Sequence, residues 1–344
     1  MSVSKRQNAV RPLIGGLAVA AMATGLAIGT AAAGGETIGY SAPFLSDPFQ
    51  AIMADLTTKG AESAGLDLLP VTNANADAGK QITNVRTMLS QGAKGLIVVP
   101  VDSDAIIPAL NSAAEKNVPV VTIDLGPAGG KVAMIVRADN SRMGEEACKV
   151  MGKAVGGKGK VLSLLGDQAS INGRDRTTGF NNCMKAQFPD IEIIEQPTYW
   201  KTETATAAAQ TVVGATPDLA GIYMQSDSVM LAGVLNVLKS AGKLKAVGEE
   251  GHLPLVSIDA TPYALDQIRA NMLDAAVSQP LESYVKFGLS YLEDAMAGKT
   301  FSTGPTDHDS QIVEFEGNLM DLLPSPVVTA ENVDDAALWG NQVK

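Results

Sequence analysis

An α/β fold of two lobes, each a doubly wound and mostly parallel sheet, is predicted for this 344-residue chain by three observations. Short runs nearly continuous in Val, Ile and Leu, such as "GLIVVPV" and "VPVVTIDL", read as strands buried on both faces. Longer amphipathic runs fall between them, the spacing of βαβ crossovers. About ten such strands are more than one ordinary sheet holds, so two sheets of about five are expected, and the length suits two lobes.

In order after Glu36, the strands read as "TIGYSAP", "LDLLPVT", "GLIVVPV", "VPVVTIDL", "KVAMIVRADN", "KVLSLLGD", "IEIIEQ", "LAGIYMQSD", "LPLVSIDA" and "LDAAVSQP". Helical periodicity predicts helices over 48–64, 77–91, 104–116, 141–155, 176–187, 202–214 and 227–241. No low-complexity linker separates the halves, so strand-like crossovers rather than a tether should join them.

The N-terminus is set apart. Lys5, Arg6 and Arg11 precede an apolar Ala/Gly-rich run and then Ala31, Ala32 and Ala33, the pattern of a secretory signal cleaved near Ala33. A membrane anchor is the alternative, but Gly15, Gly16, Gly25 and Gly29 weaken the run, and no Cys follows the site to carry a lipid. A soluble product in an oxidising compartment, the periplasm, is expected. Loss of those residues, which hold three cations and no carboxylate, takes the formal charge from −11 to −14. Such acidity excludes nucleic acid as a partner. Cys148 and Cys183 are compatible with one disulfide there, or with two buried thiols.

Many strands end in polar residues: Ser41 with Asp47 beyond it, Asn73, Asp102, Asp124, Asp139, Asp167, Ser226 with Asp227, Asp259 and Gln279. Ligands of open parallel sheets bind beyond the carboxyl ends of the strands. For Asp77, Asp102 and Ser103, capping of the following helix is the preferred role.

"GYSAPFLSDPFQAIMADL", "VPVVTIDL", "RADNSRMGEEA", "NGRDRTTGF", "MQSDSVMLAGVL" and "SIDATPYALDQI" follow one another in an order that resembles the type I periplasmic substrate-binding proteins of the ribose, galactose and xylose kind, receptors for ABC-type sugar importers. The resemblance spans essentially the whole mature chain. It implies three hinge strands, with crossings near Ala138, near Gln279 and within 303–309, hence a first lobe of 36–138 plus 280–307, a second of 139–279 plus 308–324, and a tail over 325–344. It also implies a monosaccharide or polyol held between the lobes and delivered to a membrane permease by a monomer, with a sensory role or a secreted carbohydrate-active enzyme as alternatives.

The residues themselves suit such a ligand. Dense hydroxyls need charged or amide partners, because charge-assisted bonds are the stronger ones. Asp124 and Asp259 are suited to accepting hydroxyl protons, Arg176 to donating, and Gln279 to both; Asp47 and Ser226 join them, and Phe49 and Trp200 are the aromatic candidates, with a core role as the alternative for Phe49 and Tyr199 as the alternative contact to Trp200. Ser41, Leu125, Arg174 and Asp227 are expected around this set, with Arg174 paired to a carboxylate or flanking the cleft. The chain departs from the ribose-type pattern at Asp47, at Ser226 and at Asp124-Leu125, where that pattern has an Asp-Arg pair; ribose itself is therefore disfavoured. No nucleophile elbow, Walker loop or His-rich motif is present, "GGKGK" precedes a strand and reads as a turn, and His252 and His308 read as surface or hinge residues. No catalysis, metal or cofactor is expected.

Overall fold

The first apolar run forms β1 (Thr37–Ala42), buried without a break over 38–42 because the strand is covered on both faces. The computed structural model describes residues 35–343, so the signal segment lies outside the described residues. From β1 the chain alternates as expected: α1 (Pro48–Ser63), β2 (Asp67–Leu68), β3 (Thr72–Asn73), α2 (Ala78–Ser90), β4 (Gly95–Val98), α3 (Ile107–Glu115), β5 (Val120–Ile123) and β6 (Met134–Ala138). A second series follows: α4 (Asn140–Ala154), β7 (Lys158–Leu165), α5 (Ile171–Gln187), β8 (Asp190–Pro197), α6 (Thr202–Ala215), β9 (Leu219–Met224), α7 (Asp227–Ser240), β10 (Leu255–Asp259), α8 (Pro262–Arg269) and β11 (Ala275–Ser278). The chain closes with α9 (Leu281–Met296), β12 (Gly304–Pro305), β13 (Gln311–Phe315), β14 (Asn318–Leu323), β15 (Val327–Val328) and α10 (Trp339–Gln342).

Among the described residues these strands form two sheets, one per lobe. The first runs β12-β13-β14-β6-β5-β4-β1-β2, with β3 also on β1, and the second runs β15-β11-β10-β9-β7-β8. Pairing is parallel except at β12–β13, β13–β14 and β11–β15. The chain leaves the first sheet after Ala138 and returns to it after Ser278.

The third passage differs from the expected one. Residues 308–323 do not enter the second lobe: β13 and β14 form a hairpin about Glu316 and Gly317, both at positive φ, and β14 lies parallel to β6. The chain therefore crosses at 324–326, just before β15 pairs with β11. The start of α5 also moves. Ser170 caps it by accepting from the Gly173 amide at 3.2 Å, so the helix begins five residues before the predicted one and Arg176 sits in its second turn.

Helices α4 and α5 touch backbone to backbone. A Cβ added at Gly144 would fall 2.3 Å from the Arg176 carbonyl oxygen, and one at Gly179 would fall 1.9 Å from that of Ser141. Cys148 and Cys183 are disulfide-bonded across the same contact, with Cα atoms 6.1 Å apart. Closure of that loop contributes about 3–4 kcal/mol by chain entropy.

Candidate functional site

The site lies between the lobes at the carboxyl edges of both sheets. Asp47 caps α1, its carboxylate accepting from the Phe49 amide at 3.0 Å, with Pro48 at the first helical position. That places Phe49 and Gln50 on the first turn, facing the cleft. Asp124 follows β5 and Asp259 ends β10, equivalent places in the two lobes, and both take positive φ, 62° and 116°. Non-Gly residues in that region are uncommon and cluster at functional sites.

Hydrogen bonds draw the lobes together. Asp124 accepts from Gln50 Nε2 (2.9 Å) within its own lobe and from Asn172 Nδ2 (2.9 Å) across the cleft. The Ser228 hydroxyl donates to Asp47 (2.7 Å), and Arg137 Nη2 donates to Asn172 Oδ1 (2.7 Å) and Asp175 (2.9 Å). Ser103 Oγ accepts from the Ile171 amide at 3.1 Å, so it serves a helix of the opposite lobe and not the one that follows it, whereas Asp77 caps α2 as expected. Asp102 accepts from the amides of Asp104 and Ala105.

Arg176 is buried and held on three sides. Nε donates to Asn140 Oδ1 (2.7 Å), Nη1 donates to the Gln225 carbonyl and lies 3.6 Å from Asp259 Oδ1, and the guanidinium sits 5.7 Å from the Trp200 ring centroid. Asp259 also accepts from Ser226 Oγ (2.6 Å) and Gln279 Nε2 (3.4 Å), while Tyr284 fixes the amide by donating to Gln279 Oε1 (2.6 Å). These groups converge on one small cavity between the lobes. Gln50 Oε1 is buried at this wall without a hydrogen-bond partner among the described residues, a state that costs free energy unless another donor meets it.

The carboxylates are strained electrostatically. Burial pushes the Asp47 carboxyl up to about 7, although the Ser228 hydroxyl opposes the rise. Burial takes Asp124 to about 6 against the lowering effect of Arg176 and Gln50. Asp259 is raised as well, burial outweighing its Arg176 partner. Each would keep its charge more readily with further donors, which is what a hydroxyl-rich ligand brings.

All eight residues singled out from the sequence line this one cavity: Asp47, Phe49, Asp124, Arg176, Trp200, Ser226, Asp259 and Gln279, and Leu125 lies beside them. Three of the surrounding set do not reach it. Ser41 is buried beneath, accepting from Gln81 Nε2; Asp227 accepts from Ser257 and from the Ala260 and Thr261 amides, bracing the turn after Asp259. Among the described residues Arg174 meets no carboxylate; it donates to the Gln168 and Ala169 carbonyls and tightens the loop before α5. His308 is no hinge residue: it stacks on Phe287 and bonds Asp307 and Asp321 within the first lobe.

Sequence reasoning missed Gln50, Asn172, Phe44 and, from behind, Trp339. Trp339 donates Nε1–H to the Asp259 carbonyl at 2.8 Å and meets the Phe49 ring edge-on at 5.5 Å, so the C-terminal tail supports a residue of each lobe. Gln50 was findable one residue beyond Phe49 on the same turn.

Comparison with known proteins agrees with this arrangement. The model of the periplasmic binding protein domain matches residues 38–300. The ribose import binding protein RbsB of Bacillus subtilis is 29% identical over 76% of this chain and 82% of that protein; the xylitol-binding protein of Mycolicibacterium smegmatis is 26% identical over 93% and 87%. Among solved structures, an ABC transporter solute-binding protein from Mycobacterium smegmatis with bound glycerol superposes with a TM-score of 0.77 at 24% identity, covering 88% of this chain and 97% of the other. The Caulobacter myo-inositol binding protein bound to myo-inositol gives 0.75 at 23% identity, covering 87% and 94%. With its two lobes, a cleft built from both, and a family match over most of its length, the chain belongs to the periplasmic binding protein family.

Proposed function

We propose that the chain captures a monosaccharide or polyol between its lobes, in the periplasm, and presents it to the membrane permease of an ABC importer. The observation that carries this reading is the cavity itself. Carboxylate, amide and guanidinium groups from both lobes converge on it, Phe49 and Trp200 offer apolar planes, and Gln50 Oε1 awaits a donor. That is the complement of a small molecule with many hydroxyls and short C–H faces. The relatives named for ribose import and xylitol binding support the same ligand class. Leu125, where the ribose-type pattern has Arg, favours a sugar other than ribose.

Hinge closure is the mechanism the geometry supports. A ligand shifts an open–closed equilibrium only through contacts that differ between the two forms. Phe49 and Asp124 stand on one lobe and Arg176, Trp200 and Asp259 on the other, so those contacts are completed on closing.

A thermal-shift panel of pentoses, hexoses, tetritols and inositols tests the reading. A ligand at a hundredfold excess over its Kd stabilises by about 2.7 kcal/mol, and a subset should raise Tm and be recovered chemically unchanged. No shift with any of them would overturn it.

A further inference from the structure

Outside the cleft proper, a second cavity of about 310 Å³ opens at its mouth and shares Phe44, Asp47 and Trp200 with the first. Both its lips are turns in the left-handed region: Asn75 and Ala76 on one lobe (φ 55° and 59°), Tyr199 and Trp200 on the other (φ 57° each). For bulky aromatic residues this conformation is costly and persists only where the surroundings over-determine it.

They do so here. Thr198 donates both its amide (3.0 Å) and its hydroxyl (2.7 Å) to the Leu165 carbonyl, and the Lys201 amide closes the turn onto Thr198 O at 3.0 Å. The Trp200 ring occupies the space above Gly166, where a Cβ would fall 1.9 Å from it. On the facing lip Asn73 Oδ1 accepts from the Leu45 and Asn75 amides, and the Ala76 amide donates to Pro43 O. The two aromatic residues are thereby sent in opposite directions. Trp200 turns inward under Arg176, whereas Tyr199 turns out at 53% exposure, the most exposed large apolar side chain among the described residues.

An exposed tyrosine on a mobile loop would carry no meaning, but one fixed on an anchored turn beside a sugar-sized cavity is a preorganised stacking face. Ser46, Asn75, Lys201 and Glu203 line the same cavity and bring polar and charged side chains to it. We propose that the mouth is a second subsite and that the ligand is a glycoside: one sugar unit in the cleft, its ring-bearing substituent outside against Tyr199. This rests on the carbohydrate reading of the cleft.

The test is calorimetric titration of the secreted chain with each monosaccharide that binds in the panel, its methyl and 4-nitrophenyl glycosides of both anomers, and disaccharides containing it. At least one ring-bearing glycoside should bind as tightly as the free sugar or more so. Tyr199→Ala should weaken that glycoside about fivefold, the scale of one aromatic contact, leave the free sugar unchanged, and keep the parent Tm; Tyr199→Phe should retain glycoside binding. Free sugars that bind while every ring-bearing glycoside fails would overturn the subsite and leave the cleft reading standing. Equal losses for sugar and glycoside in Tyr199→Ala would also overturn it. No binding by any carbohydrate would remove both readings.

Discussion

Acid should close the ligand-free protein. Asp47 and Asp124 are buried where the lobes meet, and there their carboxyls titrate at about 7 and about 6 against the ordinary 3.8 expected of an open, wet cleft. Because both values are raised in the closed form, their contribution to closing is fully present below pH 3.8 and lost as pH rises through 6 to 7. Each pH unit of difference is worth about 1.4 kcal/mol. Between pH 8 and pH 5, Asp47 gains about two such units and Asp124 about one, together about 4 kcal/mol, or roughly a thousandfold in the open–closed equilibrium. Small-angle scattering of the ligand-free protein should show a smaller radius of gyration at pH 5. Asp47→Asn keeps an oxygen to cap α1 but cannot titrate, so it should lose about two-thirds of the swing. A saturating sugar should flatten it, since bound protein is closed throughout. If the variant responds to pH as the parent does, or if the parent opens on acidification, the electrostatic account of the cleft is wrong.

Three substitutions probe the site's supports. Arg176→Ala strips the buried Asp259 of its cation, which costs about 3–5 kcal/mol in stability and about 2 kcal/mol or more in sugar binding; Arg174→Ala removes bonds to two carbonyls, about 1 kcal/mol, so calorimetry and titration should rank them in that order, and the reverse order would exchange their roles. Trp339→Phe keeps an aromatic edge for Phe49 but leaves the buried Asp259 carbonyl with the Gln279 amide alone as donor. Urea unfolding should report a loss of about 1 kcal/mol, the net worth of one hydrogen bond, and an unchanged midpoint would show that the bond is not made.

Much of this was legible because strand ends and helix starts are local features. Asp124 and Asp259 each close an apolar run, Phe49 opens an amphipathic one, and the parallel sheets carry those positions to a common edge. What was not legible is non-local. The hairpin of β13 and β14 carries short apolar pairs, yet nothing in its sequence says which sheet it joins; its register with β6 decides that. Trp339 lies in a short segment without periodicity, and its value comes from Phe49 and Asp259, residues 290 and 80 positions away. Asn172 and Arg137 matter because the lobes meet, which no single-segment pattern encodes. The early start of α5 was hidden by Gly173, a poor helix former, which is required because a Cβ there would fall 2.2 Å from the Asp167 carbonyl oxygen.

The glycine-lined, disulfide-linked contact between α4 and α5 has a consequence for recognition. Asn140 comes from the first of these helices and Asn172 and Arg176 from the second, so the polar wall of the second lobe is assembled when the chain folds and not when ligand arrives. A binding event then orders the angle between lobes and little within this wall, which keeps the entropic cost low. The same rigidity limits tolerance. A ligand whose hydroxyls miss Arg176 by an ångström cannot be followed by a helix bonded to its neighbour at two levels, so accommodation of different sugars falls to the facing lobe, where Phe49 and Gln50 ride on a helix with no such staple.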